Sequence, residues 1–242
     1  MIQFEDVSLS FGRRRVFSGL SFSVDFSQKV AILGGSGEGK TTILKLIMGL
    51  IKPDSGRILV DGEDITTKTE SELRDVRMKF SLIFQEGALF DSLNVKENVA
   101  FCLREYTKMT EEEIDKKVRE MLSTVGVEHA LELMPEELSG GMHRRVSIAR
   151  SLAFYNPRMF LYDEPTTGLD PVNSVNICKL ISDMAGGSAG LIIVTHKVSD
   201  ALKVARRFLF LYEGRILFDG DAEALKNSTV PELRFFVSAE SL

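Results

Sequence analysis

Residues 29–47 read KVAILGGSGEGKTTILKLI, and this stretch decides the fold. It begins with a short apolar run that ends in two glycines, a pattern typical of a buried parallel strand. After the loop, apolar residues recur at helical spacing, and KPDSG at 52–56 predicts the end of that helix. Glycines let the intervening loop curl so that backbone N–H groups point at phosphate oxygens. The sequence therefore predicts a strand, a phosphate-binding loop and a helix in succession.

The same loop carries the residues needed to hold a nucleotide. GGSGEGKT at 34–41 fits the Walker A pattern GxxxxGK[ST], and it lies between a strand and a helix as the mechanism requires. Lys40 would reach the β- and γ-phosphates, and Thr41 would bind Mg²⁺. The alternative is a structural glycine turn with a solvated lysine, which agreement at four fixed positions in this context disfavours.

A second apolar run supplies two carboxylates. RMFLYDEP at 158–165 places Asp163 and Glu164 at the carboxyl end of a predicted buried strand, the edge where open α/β sheets bind ligands. Asp163 would hold Mg²⁺, and Glu164 would polarise the attacking water. Many strands simply end in acidic residues, but the phosphate loop in the same chain favours the functional interpretation.

Another glycine-rich segment, LSGG at 138–141, resembles a second anion cradle. Ser139 can cap a helix whose apolar face includes Val146 and Ala149, and a capped, glycine-lined helix start binds anions. An ordinary glycine-rich N-cap is the alternative, and composition favours it. Because one nucleotide has a single phosphate chain, a second cradle in the same chain needs an explanation.

Composition narrows the class of protein. With 242 residues, 44% of them hydrophobic, the chain can bury a sizeable core. The net charge of −5 gives no sign of nucleic-acid binding. Cys102 and Cys178 lack metal-ligand spacing and are expected to be packing residues in a reducing compartment. We expect no secretory signal and no membrane-spanning helix, since the apolar runs are far too short.

The order of elements indicates an α/β core with an insertion. Alternating apolar residues predict antiparallel strands at 2–11 and 17–26, separated by the turn GRRR. From about 87 to 156 the pattern is helical, and Thr110 with Glu113 forms a predicted capping box. Beyond it, 158–165, 190–196 and 207–217 predict three more buried strands with helices between them.

The ordered set GGSGEGKTT, Gln85, LSGG, LYDEP, TGLD and VTH closely resembles the nucleotide-binding domain of ABC (ATP-binding cassette) proteins over almost the whole chain. The resemblance implies one ABC ATPase domain over 1–242, of α/β class. Residues 1–86 and 157–242 would form a RecA-like core and an N-terminal antiparallel β-subdomain, and about 87–156 an α-helical subdomain with the signature motif. In that family LSGG faces ATP held by the other subunit, which implies a homodimer or a dimer with a sister cassette and explains the second cradle.

The resemblance also implies ATP and Mg²⁺ as cofactors, and it assigns catalytic and metal-binding roles to matching positions. Glu164 would act as the catalytic base, and His196 would contact the γ-phosphate. Gln85 would touch both Mg²⁺ and the attacking water. Thr41, Gln85 and Asp163 would together form the metal set.

The remaining matched positions would contact the nucleotide or connect the two sites. Phe11 would stack on adenine, in a position that is often Tyr, and Asp170 would link the sites. Gly34, Gly35, Ser36, Gly37, Glu38, Gly39, Lys40, Thr41 and Thr42 would hold the phosphates, and Ser139, Gly140 and Gly141 would contact ATP across the interface.

This sequence departs from the commonest family pattern at a few positions. Met142 replaces a frequent Gln after LSGG, and Gly35 replaces a frequent Pro. Neither change removes a phosphate ligand. Lys197 stands where an acidic residue often follows the His, which changes the charge expected around His196.

The sequence EGALFDSLNVKENVAF at 86–101, together with MPEELSGGM at 134–142, is similar to the Mla/Mce-type subfamily, whose ATPases energise lipid transport. The resemblance implies a separate integral membrane permease, whose coupling helix would dock near Phe90, and a place on the cytoplasmic side of the inner membrane. An Mce-domain substrate-binding protein and a small accessory protein are further expected partners, the latter at the C-terminal tail. The alternative is that the apolar residues around Phe90, and Phe235 and Phe236 in the tail, serve only to pack the chain's own core.

Three other functions stay open from sequence. A transporter ATPase for a different small-molecule cargo would carry the same motifs. A non-transport ABC ATPase acting on ribosomes or DNA is disfavoured because such proteins carry two cassettes in one chain or long coiled-coil insertions. A nucleotide-binding regulator without turnover is disfavoured by Glu164 and His196.

Overall fold

The structure is a computed structural model that describes residues 1–85, 87–153, 157–184 and 189–240. The strands are β1 (Ile2–Phe11), β2 (Arg14–Val24), β3 (Lys29–Leu33), β4 (Ser55–Val60), β5 (Glu63–Asp64), β6 (Phe80–Ile83), β7 (Met159–Asp163), β8 (Gly190–Thr195), β9 (Arg207–Tyr212) and β10 (Arg215–Gly220). They form a four-stranded antiparallel sheet, β2-β1-β4-β5, and a six-stranded sheet, β10-β9-β3-β8-β7-β6. The second sheet is parallel except for the β9–β10 pair.

Helices cover the larger sheet and connect its strands, as the alternating pattern predicts. They are α1 (Lys40–Ile47), α2 (Glu70–Arg77), α3 (Val95–Tyr106), α4 (Glu111–Thr124), α5 (Gly140–Ala153), α6 (Pro171–Met184), α7 (Val198–Val204), α8 (Ala222–Lys226) and α9 (Pro231–Ala239). None of the helices in the described ranges has the length and hydropathy that a membrane crossing requires. The α/β class predicted from the sequence is confirmed.

The central strands are buried on both faces, and each face belongs to a different core. Along β3, Val30 and Ile32 pack with residues of the antiparallel sheet and α1. Ala31 and Leu33 point the other way, into the core shared with α3 to α7. Because side chains alternate along a strand, one continuous apolar run serves both cores.

The inserted segment is helical, as predicted. Its three helices α3, α4 and α5 pack on one another, and α5 also contacts β6 of the larger sheet. Thr110 and Glu113 form the expected capping box at the start of α4, and Ile114, Val118 and Leu122 on its inner face are buried. The α5 helix therefore runs from this insertion to the edge of the core.

Two predicted strand boundaries are wrong. The segment 207–217 forms two antiparallel strands, because Glu213 (φ 46°) and Gly214 (φ 74°) make a tight turn inside the apolar run. A Cβ on Gly214 would lie 2.4 Å from the Val16 carbonyl oxygen, so the turn sits directly against β2. The β2 strand also begins at Arg14 and ends at Val24, which leaves a turn of only two residues at 12–13 in place of GRRR.

Candidate nucleotide-hydrolysis site

The glycine loop lies between β3 and α1, as predicted, and its shape depends on glycine. Gly37 and Gly39 have φ of 81° and 103°, values that side chains other than glycine rarely adopt. A Cβ on Gly39 would lie 2.7 Å from Val16 Cγ1, and one on Gly34 would lie 2.6 Å from the Leu211 carbonyl oxygen. The loop can therefore curl tightly between β2 and β9.

A cavity of about 320 Å³ opens above this loop. It brings together residues from the loop and the start of α1 with residues that follow β6, β7 and β8, although up to 160 residues of sequence separate them. Its lining is Ser36, Gly37, Gly39, Lys40, Thr41, Thr42, Gln85, Glu164, Thr167 and His196. Most of the predicted phosphate, catalytic and metal residues thus share one cavity.

Lys40 places a positive charge at this cavity. Only 6% of the residue is exposed, and Nζ donates to the carbonyl oxygens of Gly34 and Gly35 at 2.9 Å each. The same atom lies 3.4 Å from Glu164 Oε1. The ammonium is therefore oriented by the loop itself and lies where its charge can attract phosphate oxygens.

Two of the three predicted metal ligands, Thr41 and Asp163, contact each other. Thr41 Oγ1 donates to Asp163 Oδ1 at 2.9 Å. Burial raises the pKa of Asp163 above its ordinary value, and the hydrogen bond from Thr41 only partly opposes this. The described residues contain no group of three His, Cys, Asp or Glu side chains suited to a metal. Mg²⁺ takes oxygen ligands and binds through one or two carboxylates plus substrate phosphates, so this donor pair fits it.

Glu164 is held in a strained and highly bonded position at the end of β7. Its φ is 45°, a left-handed value that an L-residue adopts only when its surroundings impose it. His196 Nδ1 lies 2.9 Å from Oε2, and the hydroxyls of Thr167 and Thr195 donate to the same oxygen at 3.1 and 3.2 Å. The two threonines were missed in the sequence, because a hydroxyl beside a motif gives no pattern of its own.

The Glu164 carboxylate is kept ionised despite its burial. Burial pushes its pKa up, but the hydrogen bond to His196 and the charge of Lys40 outweigh this effect. The pKa of Glu164 therefore lies below its ordinary value. A carboxylate that is charged, oriented and close to Lys40 can accept a proton from water.

Gln85 lies just after β6 and its side chain is exposed to the cavity. The neighbouring backbone forms a turn in which the Gly87 N–H donates to the Phe84 carbonyl at 2.9 Å. Gly87 (φ 74°) and Ala88 (φ 49°) both have left-handed backbones. Glu86, between them and Gln85, lies outside the described residues.

The residues of LSGG lie elsewhere. Ser139 Oγ accepts from the Met142 N–H at 3.3 Å, so it caps α5 as predicted. Gly141 packs against Asn173, which itself donates to Asp170 Oδ2 at 2.6 Å. Ser139, Gly140, Gly141 and Asp170 are absent from the lining of the Lys40 cavity in the described part of the chain.

The remaining predicted nucleotide contacts are at the edge of the loop. Phe11 ends β1, is 53% exposed, and does not line the Lys40 cavity. Gly35 adjoins the Lys40 ammonium through its carbonyl. The Glu38 side chain accepts from the Glu213 N–H at 2.7 Å, so that its carboxylate is bound to the β9–β10 turn. Lys197 donates to the Thr166 carbonyl at 3.1 Å.

Fold and site together define a P-loop nucleotide hydrolase with a helical insertion. Residues 17–167 match the family model described as "ABC transporter". The chain belongs to the ABC transporter family, and it is an ABC-type ATPase.

Individual relatives resemble almost the whole chain. The intermembrane phospholipid transport system ATP-binding protein MlaF of Escherichia coli (strain K12) is 40% identical over 98% of this chain and 88% of its own. The probable ribonucleotide transport ATP-binding protein mkl of Mycobacterium leprae is 38% identical over 100% of this chain and 70% of its own. A dimeric post-hydrolysis structure of the ATP-binding cassette MJ0796, bound to ADP and Pi, is 29% identical with a TM-score of 0.84, covering 91% and 98% of the two chains.

Proposed function

We propose that this chain is the ATP-hydrolysing subunit of a transporter for phospholipids or related lipids. The observation that carries hydrolysis is the cavity lined by Lys40, Thr41, Glu164 and His196. Asp163 adjoins it through the hydrogen bond that it accepts from Thr41. The lipid cargo is supported by the similarity to MlaF and by the sequence of residues 86–101. The similarity to mkl, named as a probable ribonucleotide transport protein, makes that cargo the second candidate.

The residues of the cavity divide the reaction between them. Lys40 and the loop N–H groups hold the β- and γ-phosphates and stabilise their charge. Glu164 takes a proton from water as the water oxygen attacks the γ-phosphorus and the bond to the β-phosphate bridge breaks. His196 orients Glu164 and contacts the γ-phosphate, and Gln85 positions the water. Mg²⁺, held by Thr41, Asp163 and Gln85, would neutralise phosphate charge when bound.

We infer that the active form is a dimer, most simply a homodimer. Ser139, Gly140, Gly141 and Asp170 do not line the Lys40 cavity of their own chain in the described residues, which suits contact with ATP on a second subunit. Phe11 is exposed at the edge of the loop and is proposed to stack on adenine. The dimeric ADP-bound relative supports this arrangement.

We propose that a permease docks on the helical subdomain. Phe90 and Phe101, which are 42% and 41% exposed, pack together with ring centroids 4.8 Å apart. Arg150 lies over Phe90 at 5.7 Å, so the pair forms a fixed apolar surface near Gln85. This arrangement would let nucleotide-driven closure move a membrane subunit, and it would hold the chain on the cytoplasmic side of the inner membrane.

Other partners would bind elsewhere. An Mce-domain protein would bind the permease, and a small accessory protein would contact the tail. In α9, Phe236 packs on Phe210 with ring centroids 5.2 Å apart, whereas Phe235 is 77% exposed. One tail phenylalanine therefore serves the chain's own core, and the other is available to a neighbour.

The test is reconstitution of the chain with its copurifying membrane proteins in liposomes. We expect ATP-dependent movement of a fluorescent phospholipid and no movement of a labelled ribonucleotide. The reverse result would replace the lipid proposal. Phe101→Glu should release the membrane proteins and leave ATP binding intact. The control Leu217→Glu, at an exposed apolar residue on β10, should retain both the membrane proteins and ATP binding.

A further inference from the structure

Three arginines of α5 use their guanidinium groups to hold backbone outside the helix. Arg144 Nη1 donates to the Phe84 carbonyl at 2.9 Å. Arg150 donates to the Gly87 and Ala88 carbonyls at 2.9 and 2.8 Å. Arg145 instead donates to the Val125 carbonyl, after α4, at 2.8 Å. Two of the three therefore bind the backbone on either side of Gln85.

Gln85 depends on its backbone for its position. Its side chain is exposed, and it follows β6 directly at the start of a turn with two left-handed residues. Within this turn Gly87 is buried against α5, whereas Gln85 is exposed and has no such packing. Hydrogen bonds from Arg144 and Arg150 to the carbonyls around it are contacts that can set where the amide points.

Arg144 differs from the other two arginines in burial and in charge environment. Only 6% of it is exposed, and the Asp163 carboxylate is close enough to interact with its charge. A buried cation is costly to leave unpaired, so the hydrogen bond to the Phe84 carbonyl is important for holding the guanidinium in place. One buried side chain thus holds the backbone carbonyl immediately before Gln85.

We propose that Arg144 is a positioning residue that fixes Gln85 and ties it to the α5 helix. The helix begins beside Ser139, so a movement of the LSGG end of α5 would reach Gln85 through Arg144. The backbone at Gly87 also lies directly against α5, since a Cβ there would be 2.1 Å from Ser147 Oγ on that helix. This close packing is a second connection between α5 and the turn beside Gln85. This inference rests on the proposed function, in which Gln85 positions the attacking water.

A double-mutant cycle tests the connection. We expect R144M to lower kcat for ATP hydrolysis by about 10- to 100-fold, the loss that follows from a small displacement of a reacting group. In a Q85A background, R144M should lower kcat by less than about two-fold, because Gln85, through which Arg144 acts, is already gone. In either background, R144M should change ATP binding by no more than about two-fold. If R144M lowers kcat by the same factor in the wild-type and Q85A backgrounds, the proposal is overturned.

R145M is the matched control, since Arg145 also donates to one backbone carbonyl from the same helix. Its effect on kcat should be equal in the two backgrounds. R144K, which keeps the charge but loses the planar fork, should recover part of the lost kcat. If R144M does not fold, R144K takes its place in the cycle under the same criterion.

Amide hydrogen exchange gives a readout that does not need ATPase activity. R144M should speed exchange in peptides covering 84–90, where the Gly87 N–H is bonded to Phe84, and leave β7 unchanged. R145M should affect the region after α4 instead. Unchanged exchange at 84–90 would overturn the proposal. A wild-type chain that neither binds nor hydrolyses ATP would instead refute the proposed function, with the exchange result still deciding the role of Arg144.

Discussion

Glu164→Gln tests the catalytic assignment and the electrostatics of the site together. The substitution keeps the size of the side chain and one oxygen acceptor for Thr167, Thr195 and His196, but it removes the negative charge. We expect ATP hydrolysis to fall by about 10²- to 10⁴-fold, the usual contribution of a general base. ATP binding should persist, which would trap an ATP-bound dimer. Hydrolysis at the wild-type rate would refute the assignment of Glu164 as the base.

The same change should destabilise the ligand-free chain. The Lys40 and Glu164 side chains are only 7% and 10% exposed, so their interaction is poorly screened. Losing a hydrogen bond or contact with a charged partner costs about 1.5–3 kcal/mol. Lys40 keeps its bonds to the Gly34 and Gly35 carbonyls, so we expect a loss of about 1–3 kcal/mol. For a domain of this size that lowers Tm by about 2–4 °C for each kcal/mol.

Thermal unfolding with and without ATP and Mg²⁺ measures this loss. Bound phosphates bring negative charge to Lys40, so the difference in Tm between wild type and variant should become smaller when nucleotide is bound. The gap should also depend on pH. Because the pKa of Glu164 is lower in the folded chain, its stabilisation is present above the unfolded value of 4.5 and is lost as pH falls through the folded value. Glu105→Gln, at an exposed glutamate of α3, is the control and should show neither effect.

Two further substitutions test the metal pair and the turn beside Gln85. Asp163→Asn removes a carboxylate whose pKa burial raises, so the ligand-free chain should gain stability at neutral pH. Mg²⁺-dependent nucleotide binding should weaken at least about ten-fold. Unaltered Mg²⁺ dependence in a nucleotide titration would contradict the assignment. Gly87→Ala should cost about 2 kcal/mol or more in denaturant unfolding, since it meets Ser147 and a left-handed φ, whereas Ala88→Gly should change stability by less than about 1 kcal/mol. If Gly87→Ala and Ala88→Gly lower the free energy of unfolding by the same amount, the contact with Ser147 does not contribute.

Much of the fold follows from local patterns. The Walker A loop, the capping box at Thr110 and the buried strands at 29–33 and 159–163 depend on neighbours in sequence, and the structure has them where predicted. The β9–β10 turn was missed because the apolar run around it is nearly continuous, and because Glu213 as well as Gly214 adopts a left-handed backbone there. The small strands β4 to β6 and helices α2, α8 and α9 carry weak patterns and were not predicted.

The sequence by itself determined that this chain has a phosphate loop, two carboxylates at a strand end and a capped helix at LSGG. Those features depend on residue types at short spacing, and they led to the ABC family. Only the tertiary structure decided that Thr41 bonds Asp163 across 122 residues and that Arg144 reaches Phe84 across 60. It also decided that the Lys40 cavity excludes Ser139. Such contacts depend on how sheets and helices pack on one another, and no local pattern encodes that packing.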